Sequence, residues 1–176
     1  MNAEAAGGDP SQVQAAIPCP VPPEQRPLRE YEQLLRSWFF VWPAGQPRGL
    51  FKPLLISWLL ALAPSLLVSG GSLSLRHDPV RLLLAAAAAA LLLPLFLLLR
   101  QWLGWTYVQR RLVAIEVDYE ESGWYDGQTW QKPLAWRQQD LLVATHQVAP
   151  VLQRLQRVIL FTLALLLGGT GLCQAF

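Results

Sequence analysis

Five carboxylates lie within eleven residues in the second half of this chain, and they are the side chains best suited to do chemistry. They are Glu116, Asp118, Glu120, Glu121 and Asp126. Paired carboxylates can bind a divalent cation or act as a general acid and base. The run contains no EF-hand calcium loop and no His-rich iron signature. The acidic residues alone therefore specify neither a metal nor a reaction.

The residues around the carboxylates predict a small β-hairpin. Apolar and polar residues alternate over Val113–Glu120, and a period of two with β-branched residues is typical of a half-buried strand. The carboxylates on its exposed face are Glu116, Asp118 and Glu120. Solvated charge is ordinary on such a face. The turn dipeptides Ser122-Gly123 and Asp126-Gly127 then predict a return strand at Gln128–Gln131.

The predicted turn of this hairpin carries the candidate functional residues. Glu121 and Asp126 break the alternation and flank Trp124 and Tyr125, and Trp130 follows in the return strand. Large rigid aromatics dominate interface energetics, so we predict a partner-binding site formed by these five residues. Three alternatives stay open. They are a metal or catalytic site that uses Glu121 and Asp126, packing of the aromatic rings onto the bilayer surface, and a role of these residues in hairpin stability alone.

The rest of the sequence adds no recognisable site. His77 and His146 could each ligate a chlorophyll magnesium or a haem iron, but neither has a second histidine at a ligand spacing. An ordinary surface or helix position is the favoured interpretation for both. There is no Gly-rich phosphate loop, no Ser/His/Asp or Cys/His constellation and no CxxC pair. We assign no catalytic residue, metal ligand or cofactor, and we expect a non-catalytic protein.

The elements that must position these residues include membrane spans. Charged residues make up only 15% of the chain, against roughly 25% in soluble domains. No Asp, Glu, Lys, Arg or His occurs in Pro53–Leu75, Leu82–Leu99 or Val158–Phe176. Each stretch is about long enough to cross a hydrocarbon core of roughly 30 Å. The sequence thus predicts a mainly α membrane protein with about three transmembrane helices, at about residues 53–72, 82–99 and 158–176.

The basic residues predict the orientation of these spans. Five Lys and Arg residues precede the first span, two lie between the first and second, and seven lie between the second and third. The positive-inside rule then places the N-terminus and the long central loop on the cytoplasmic or stromal side. The net charge of +2 gives no support for a nucleic-acid partner, and we predict the lipid bilayer as the first partner.

Residues 18–52 are predicted to form a proline-rich segment and an amphipathic helix. Apolar side chains recur there at three- and four-residue spacing, namely Leu28, Tyr31, Leu35, Trp38, Phe39 and Trp42. The aromatic side of this helix could face the headgroup boundary or pack on the protein's own extramembrane segment, and both interpretations stay open. Residues 1–17 are small and polar, and we expect them to be disordered.

Residues 100–157 are predicted to lie outside the membrane between the second and third spans. Arg110-Arg111 is suited to lipid phosphates, and Trp105 is expected at the membrane interface. Asp140 is a plausible N-cap for an amphipathic helix that runs into the third span. Pro150 should bend or restart that helix.

Inside the spans, the sequence indicates helix packing and not transport. Small residues form one face of the first span, at Ser57, Ala61, Ser65 and Ser69. A similar face begins at Ala164 and Gly168 on the third span, and such faces let helix backbones approach closely. Pro64 and Pro94 should kink the first and second spans. No ionisable residue lies at membrane depth, where an ion pathway would need one.

Three segments of the chain resemble one family of membrane proteins. They are Cys19–Pro27 (CPVPPEQRP), Leu103-Gly104-Trp105 with Tyr107-Val108, and Tyr119–Gln128 (YEESGWYDGQ) with Trp130 and Lys132-Pro133. The family is the one called conserved in the green lineage and diatoms, which occurs in cyanobacteria and plastids. The resemblance spans about residues 18–155.

The resemblance implies a thylakoid membrane, a cyanobacterial plasma membrane or a plastid membrane. It also implies a link to other membrane proteins of the photosynthetic apparatus, but no reaction, cofactor or catalytic residue. We therefore expect a non-catalytic integral membrane factor that assists the assembly, stability or maintenance of photosynthetic membrane complexes. The alternative is a membrane enzyme or a metal- or pigment-handling protein that uses the Glu121/Asp126 loop.

Overall fold

A computed structural model describes residues 19–45, 47–72, 77–120 and 127–175 of the chain. Within these ranges, three helical segments are long and apolar enough to cross a membrane. A shorter amphipathic helix and a two-stranded antiparallel hairpin accompany them. The predicted fold class, a mainly α membrane protein with a small hairpin, is confirmed. The prediction of disorder for residues 1–17 concerns a segment that lies outside the described residues.

The described helices and strands follow one another in a simple order. They are α1 (Pro27–Arg36), α2 (Phe51–Gly70), α3 (Pro79–Ala90), α4 (Leu92–Val113), β1 (Glu116–Tyr119), β2 (Gln128–Gln131), α5 (Leu134–Val143) and α6 (Ala149–Ala175). Helices α3 and α4 form one candidate span of 35 residues, and α5 and α6 belong to another of 42 residues. The second and third helical segments are therefore much longer than the apolar stretches that predicted them.

The second segment is interrupted where the sequence predicted a kink, whereas α2 is continuous through Pro64. Leu91 separates α3 from α4, three residues before Pro94. Proline has no backbone N–H, so the carbonyl of Ala90 loses the donor that an unbroken helix would supply. The N–H of Leu91 instead bonds to the carbonyl of Ala88 at 3.1 Å, a tighter turn. Helix α4 then continues to Val113, well beyond Leu99, the last residue of the charge-free stretch.

The third segment begins earlier than predicted. Helix α5 starts at Leu134 with Pro133 at the N-cap position, so the prediction that Asp140 caps a helix is wrong. Asp140 lies instead near the end of α5, buried against another element. A π-helical turn at Ala144–Val148 joins α5 to α6 just before Pro150, which confirms the predicted irregularity. The N–H of Ala149 closes this turn on the carbonyl of Ala144.

The parts of α4, α5 and α6 that extend beyond the apolar stretches pack with α1. We call this assembly, residues 19–45, 100–120 and 127–157, the head. Buried residues of its core and the adjoining ends of the spans are Tyr31, Leu50, Leu98, Trp105, Val108, Leu112, Ala144, Val148, Val151, Leu152, Leu155 and Ile159. Their contacts join the N-terminal segment to the central loop, so both lie on the same side of the spans.

Trp105 lies at the centre of this core. Its side chain is 0% exposed and meets the ring of Tyr31 edge to face at 6.2 Å between centroids. Trp105, expected at the membrane interface, is therefore a core residue whose ring faces protein side chains. The reason is that α4 turns this face toward α1 and α6, and the exposed position next to it belongs to Leu103.

The predicted amphipathic helix ends at Arg36, and the aromatic residues from Trp38 to Trp42 follow it in turns. Phe40 and Trp42 pack against the head core, whereas Trp38 is 75% exposed. Phe40 comes so close to α4 that a Cβ on Gly104 would lie 2.5 Å from its Cε1 atom. Gly104 is thus required for this approach, and most of the aromatic segment belongs to the head's own packing.

Helix α3 lies between α2 and α6 in the apolar part of the structure. Its buried residues are Ala86, Ala88 and Ala90, and small side chains let the neighbouring backbones come close. On α2, the predicted small face includes Ser57, which is buried. The indole N–H of Trp58 also donates to the carbonyl of Ala87 on α3 at 3.1 Å.

On α6, the close approach occurs one residue later than predicted. A Cβ on Gly169 would lie 3.1 Å from the Cβ of Ala88, which is tighter than ordinary packing. At Gly168, by contrast, no neighbouring atom of the described chain lies within 4 Å of such a Cβ. The predicted small face beginning at Ala164 and Gly168 is therefore wrong in register, and Gly169 makes the contact.

Candidate functional site at the hairpin

The hairpin has the predicted strands and the predicted buried face. Strand β1 pairs antiparallel with β2, with Val117 opposite Trp130 and Tyr119 opposite Gln128. Val117 and Tyr119 are buried. The carboxylates of the other face, Glu116, Asp118 and Glu120, are exposed as predicted. The strand is shorter than the alternating run because α4 continues to Val113 and the pairing starts only at Glu116.

The structure locates one of the five predicted partner-binding residues. Glu121, Trp124, Tyr125 and Asp126 lie outside the described residues. Trp130 is half-buried in a small cluster with Val21, Val117 and Tyr119. Its ring also meets Trp136 of α5 edge to face, at 5.6 Å between centroids. Trp130 therefore connects the hairpin to α5 and to the N-terminal segment.

Lys132, directly after β2, holds the base of the hairpin to two helices. Its side chain is 0% exposed, and its ammonium group donates to the Asp140 carboxylate at 2.7 Å. It donates further to the carbonyls of Arg111 and Leu112, at 2.8 and 3.1 Å. These carbonyls belong to the last turn of α4, where intrahelical donors run out. All three ammonium hydrogens thus have partners, and one lysine closes α4 while binding α5.

The Lys132–Asp140 ion pair fixes the position of β2 relative to the helices. The attraction between two buried opposite charges offsets their loss of hydration only when their remaining donors and acceptors are also hydrogen-bonded. Lys132 meets that condition through its two carbonyl partners. Removing either charge would leave the other buried and alone, so the position of β2 relative to α4 and α5 is strongly constrained.

Arg111 joins the same helix end to the N-terminal segment. One terminal nitrogen binds the Glu30 carboxylate at 2.6 Å and the Tyr107 hydroxyl at 3.0 Å. The other donates to the carbonyl of Gln25 at 3.0 Å and to that of Asp118 in β1 at 3.1 Å. The prediction that this arginine binds lipid phosphate is therefore wrong, because protein oxygens take its donors.

Burial affects the titration of the acid that Arg111 binds. Loss of hydration raises the pKa of the Glu30 carboxyl above its ordinary value of 4.5, and the nearby Arg111 guanidinium offsets only part of that rise. One carboxylate oxygen, Oε2, has no hydrogen-bond partner among the described residues. Burial also raises the pKa of the neighbouring Tyr31 hydroxyl. The Glu30–Arg111 pair therefore contributes position more than net stability.

Gln25 clamps the point where β1 enters the turn. Its amide nitrogen donates to the carbonyl of Glu120 at 3.1 Å, and its amide oxygen accepts from the N–H of Glu120 at 2.9 Å. On the other side of the turn, the Tyr119 hydroxyl donates to the side chain of Gln128 at 2.7 Å. The residues that bracket positions 121–126 are thus fixed from both directions.

The described chain offers little for metal chemistry around the hairpin. No group of three His, Cys, Asp or Glu side chains among the described residues is placed to share an ion. A groove of ≈ 330 Å³ beside β1 is lined by Tyr107, Arg110, Arg111, Ala114, Glu116 and Asp118. Its charges are mixed. What the arrangement can do is fix Glu120 and Gln128, the described residues that bracket positions 121–126.

Comparison with known proteins identifies relatives over most of the chain. A family model named CGLD27-like, described as conserved in the green lineage and diatoms 27, matches residues 19–161. "Uncharacterized protein ycf36" of Pyropia yezoensis is 40% identical over 154 residues, which is 86% of this chain and 91% of the relative. That of Cyanophora paradoxa is 38% identical over 156 residues, 89% of this chain and 98% of the relative.

A plant protein is similar over the same region. The chloroplastic protein conserved in the green lineage and diatoms 27 of Arabidopsis thaliana is 37% identical over 150 residues. The match covers 85% of this chain and 46% of the plant protein. No solved structure matches the chain.

Proposed function

This chain belongs to the CGLD27-like family of plastid and cyanobacterial proteins, and we propose that it is a non-catalytic membrane factor for photosynthetic complexes. In this proposal it assists their assembly, stability or maintenance from a thylakoid, cyanobacterial plasma or plastid membrane. Its contact with other membrane proteins is made by the hairpin turn, through Glu121, Trp124, Tyr125, Asp126 and Trp130.

The observation that carries the proposal is the way distant segments converge on the hairpin. Gln25 clamps Glu120, Arg111 binds the segment around Gln25 and also β1, and Lys132 ties β2 to α4. These residues lie in or beside the three segments that resemble the family. A turn with fixed ends loses less conformational entropy on binding than a free loop, which favours recognition.

The connection between head and spans supports a role at the membrane surface. Helix α4 runs without a break from the apolar region to the start of the hairpin, and α6 runs from the head into the third apolar stretch. A partner bound at the turn is therefore held at a fixed distance from the apolar region. The excess of Lys and Arg on this side favours a cytoplasmic or stromal head.

The test is a comparison of two tryptophan variants in affinity purification from mild detergent. Trp124→Ala should lose co-purifying photosynthetic proteins while the chain still accumulates in the membrane. An aromatic anchor contributes about 2 kcal/mol, roughly a thirtyfold change in affinity. Trp38→Ala is the matched control, because Trp38 is a tryptophan outside the hairpin whose surface is 75% exposed. It should retain the partners.

Carboxylate variants separate this proposal from the enzyme or metal alternative. Glu121→Gln and Asp126→Asn should weaken partner binding less than Trp124→Ala does, since exposed charges contribute about 1 kcal/mol or less. If instead these two variants abolish function in cells while Trp124→Ala keeps its partners, the assembly role is wrong. A metal or pigment present in stoichiometric amount in the purified protein would point the same way.

A further inference from the structure

The head contains a cavity that the proposed function does not use. It has a volume of ≈ 310 Å³ and lies between α1, α4, the π-helical turn and the start of α6. Its polar lining residues are Tyr31, Trp105, His146, Gln147 and Arg154. Among the described residues that line it, none is acidic. The cavity therefore presents hydrogen-bond donors without a competing carboxylate.

The strongest indication of a ligand is the indole N–H of Trp105. This side chain is 0% exposed, yet no acceptor in the described part of the chain receives its hydrogen. Buried tryptophan N–H groups ordinarily find a partner, because leaving a donor unpaired away from water costs free energy. Trp105 is one of the residues that line the cavity, which makes its N–H a candidate donor to a ligand there.

Arg154 supplies a positioned positive charge. One terminal nitrogen donates to the carbonyls of Pro43 and Gly45, both at 2.7 Å. These two bonds fix the guanidinium at the edge of the cavity. A guanidinium has five N–H donors in a planar fork, so several remain for a ligand. Such a fork suits the paired oxygens of a phosphate group.

The π-helical turn contributes two further donors. The Tyr31 hydroxyl donates to the side-chain oxygen of Gln147, which leaves the amide nitrogen of Gln147 able to donate elsewhere. The neighbouring His146 is exposed and offers a ring N–H. Single π-helical turns inside α-helices occur frequently at functional sites. Four kinds of donor, from Trp105, Arg154, Gln147 and His146, thus line one small space.

The position of the cavity along the spans identifies the source of the anion. Arg154 lies one helical turn before the charge-free stretch that starts at Val158, and Pro43 and Gly45 precede α2. The cavity is therefore at the level of lipid headgroups. We propose that it binds the phosphate group of an anionic membrane phospholipid. Charge-assisted bonds from the guanidinium supply affinity, and the indole N–H selects an acceptor oxygen.

The experiment uses the full chain purified in a neutral detergent. It is titrated with short-chain phosphatidylglycerol, short-chain phosphatidylcholine or inorganic phosphate, and binding is followed by the shift in unfolding temperature. Phosphatidylglycerol should raise this temperature at concentrations where the other two have little effect. Equal effects of the two lipids would overturn the proposal, because the bilayer alone would then account for the shift. An equal effect of inorganic phosphate would overturn the assignment to lipid.

Variants place the binding in the cavity. Arg154→Gln should weaken phosphatidylglycerol binding roughly tenfold or more, as expected for loss of a charged hydrogen bond. Arg157→Gln is the control, since Arg157 is an exposed arginine on the same helix that does not line the cavity. Equal losses in the two variants would mean binding by general surface charge, and the proposal would be wrong.

Two milder variants guard against misfolding of Arg154→Gln, whose carbonyl partners also lose their donor. Trp105→Phe keeps the buried ring and removes only the N–H, and His146→Ala changes an exposed side chain. Each should weaken phosphatidylglycerol binding several-fold with a normal unfolding temperature in its absence. Full affinity in both would overturn the proposal. Capture of photosynthetic partners through Trp124 is a separate measurement, so either proposal can fail alone.

Discussion

The head and the apolar spans join their elements in different ways. In the head, segments far apart in the sequence are connected by directional bonds such as Lys132 to Asp140 and Gln25 to Glu120. In the spans, contact comes mainly from small residues that let backbones approach, as at Ala88 and Gly169. The difference follows from the surroundings. In lipid there is no hydrophobic driving force between helices, so their association depends on close packing. The polar hairpin of the head is instead ordered by hydrogen bonds and ion pairs.

This comparison indicates that function and stability are distributed unequally. Close packing in the spans requires small residues at a few positions and tolerates many apolar residues elsewhere. The polar contacts of the head require specific donors and acceptors, because a buried group that loses its partner costs more than the bond itself contributed. Substitutions of similar size should therefore have larger effects in the head than in the spans.

The largest effect is expected at Lys132 in the head. Lys132→Met leaves the buried Asp140 carboxylate and the carbonyls of Arg111 and Leu112 without their donor, and should cost about 3–5 kcal/mol of unfolding free energy. Lys52→Met is a natural control, since Lys52 is the only other lysine of the chain and is exposed. Denaturant unfolding in detergent measures both. The double variant Lys132→Met/Asp140→Leu should recover much of the loss.

The proposed difference between head and spans would be wrong if Lys132→Met lowered the unfolding free energy as little as Lys52→Met does. That result would mean that the ion pair is not buried in the folded protein, and that the hairpin is held by its apolar cluster alone. Failure of the double variant to recover stability would show instead that the capping of α4 matters more than the charge of Asp140.

An intermediate effect is expected in the spans. Gly169→Leu places a side chain where α6 meets Ala88 of α3, and overpacking of this kind typically costs about 1–3 kcal/mol. Gly168→Leu adds the same side chain one residue earlier, where the described chain leaves open space, and should be nearly neutral. Thermal unfolding in detergent compares the adjacent pair. If Gly168→Leu is the more harmful of the two, the register of α6 against α3 is wrong.

The smallest effect is expected at Glu30, and it sharpens the view that burial is not equivalent to stability. Burial raises the pKa of this carboxyl when the protein is folded. The wild type should therefore lose stability relative to Glu30→Gln as the pH rises from below 4.5 through the raised pKa. At neutral pH the variant should differ by about 1 kcal/mol or less.

Unfolding temperatures of the wild type and Glu30→Gln across this pH range provide the check. The informative quantity is the difference between the two proteins, since other acids titrate equally in both. A wild type that instead gains stability over the variant with rising pH would show that the Arg111 bond outweighs the cost of burial, contrary to the direction found here.

Several features of the fold could be predicted because they repeat along the sequence. The charge-free stretches predicted the spans, and the alternation around Val117 and Tyr119 predicted the buried face of the hairpin. Pro94 predicted an interruption because it removes a specific backbone donor. Helix lengths were underestimated, since the arginine that ends an apolar stretch at Arg100 does not end α4.

The contacts of the head could not be predicted in the same way. Gln25 and Glu120 are 95 residues apart, and no local pattern marks either as a partner of the other. Lys132 precedes Pro133 in what reads as an ordinary polar connection. Arg111 and Trp105 were expected at the lipid because their residue types suit it, but their direction depends on how α1 packs against α4. Such choices are made by tertiary structure.

The unbroken course of α4 determines how far the hairpin reaches from the bilayer. Val113 follows Leu99 by about four helical turns, roughly 21 Å along the axis at 1.5 Å per residue. A headgroup layer is only about 5–8 Å deep on each side of the hydrocarbon core. With Leu99 at the edge of the hydrocarbon core and α4 along the membrane normal, the start of the hairpin would stand in water beyond the headgroups. A partner that contacts the hairpin must itself extend beyond the membrane surface. Subunits with large extramembrane domains can therefore reach it, and subunits confined to the membrane cannot.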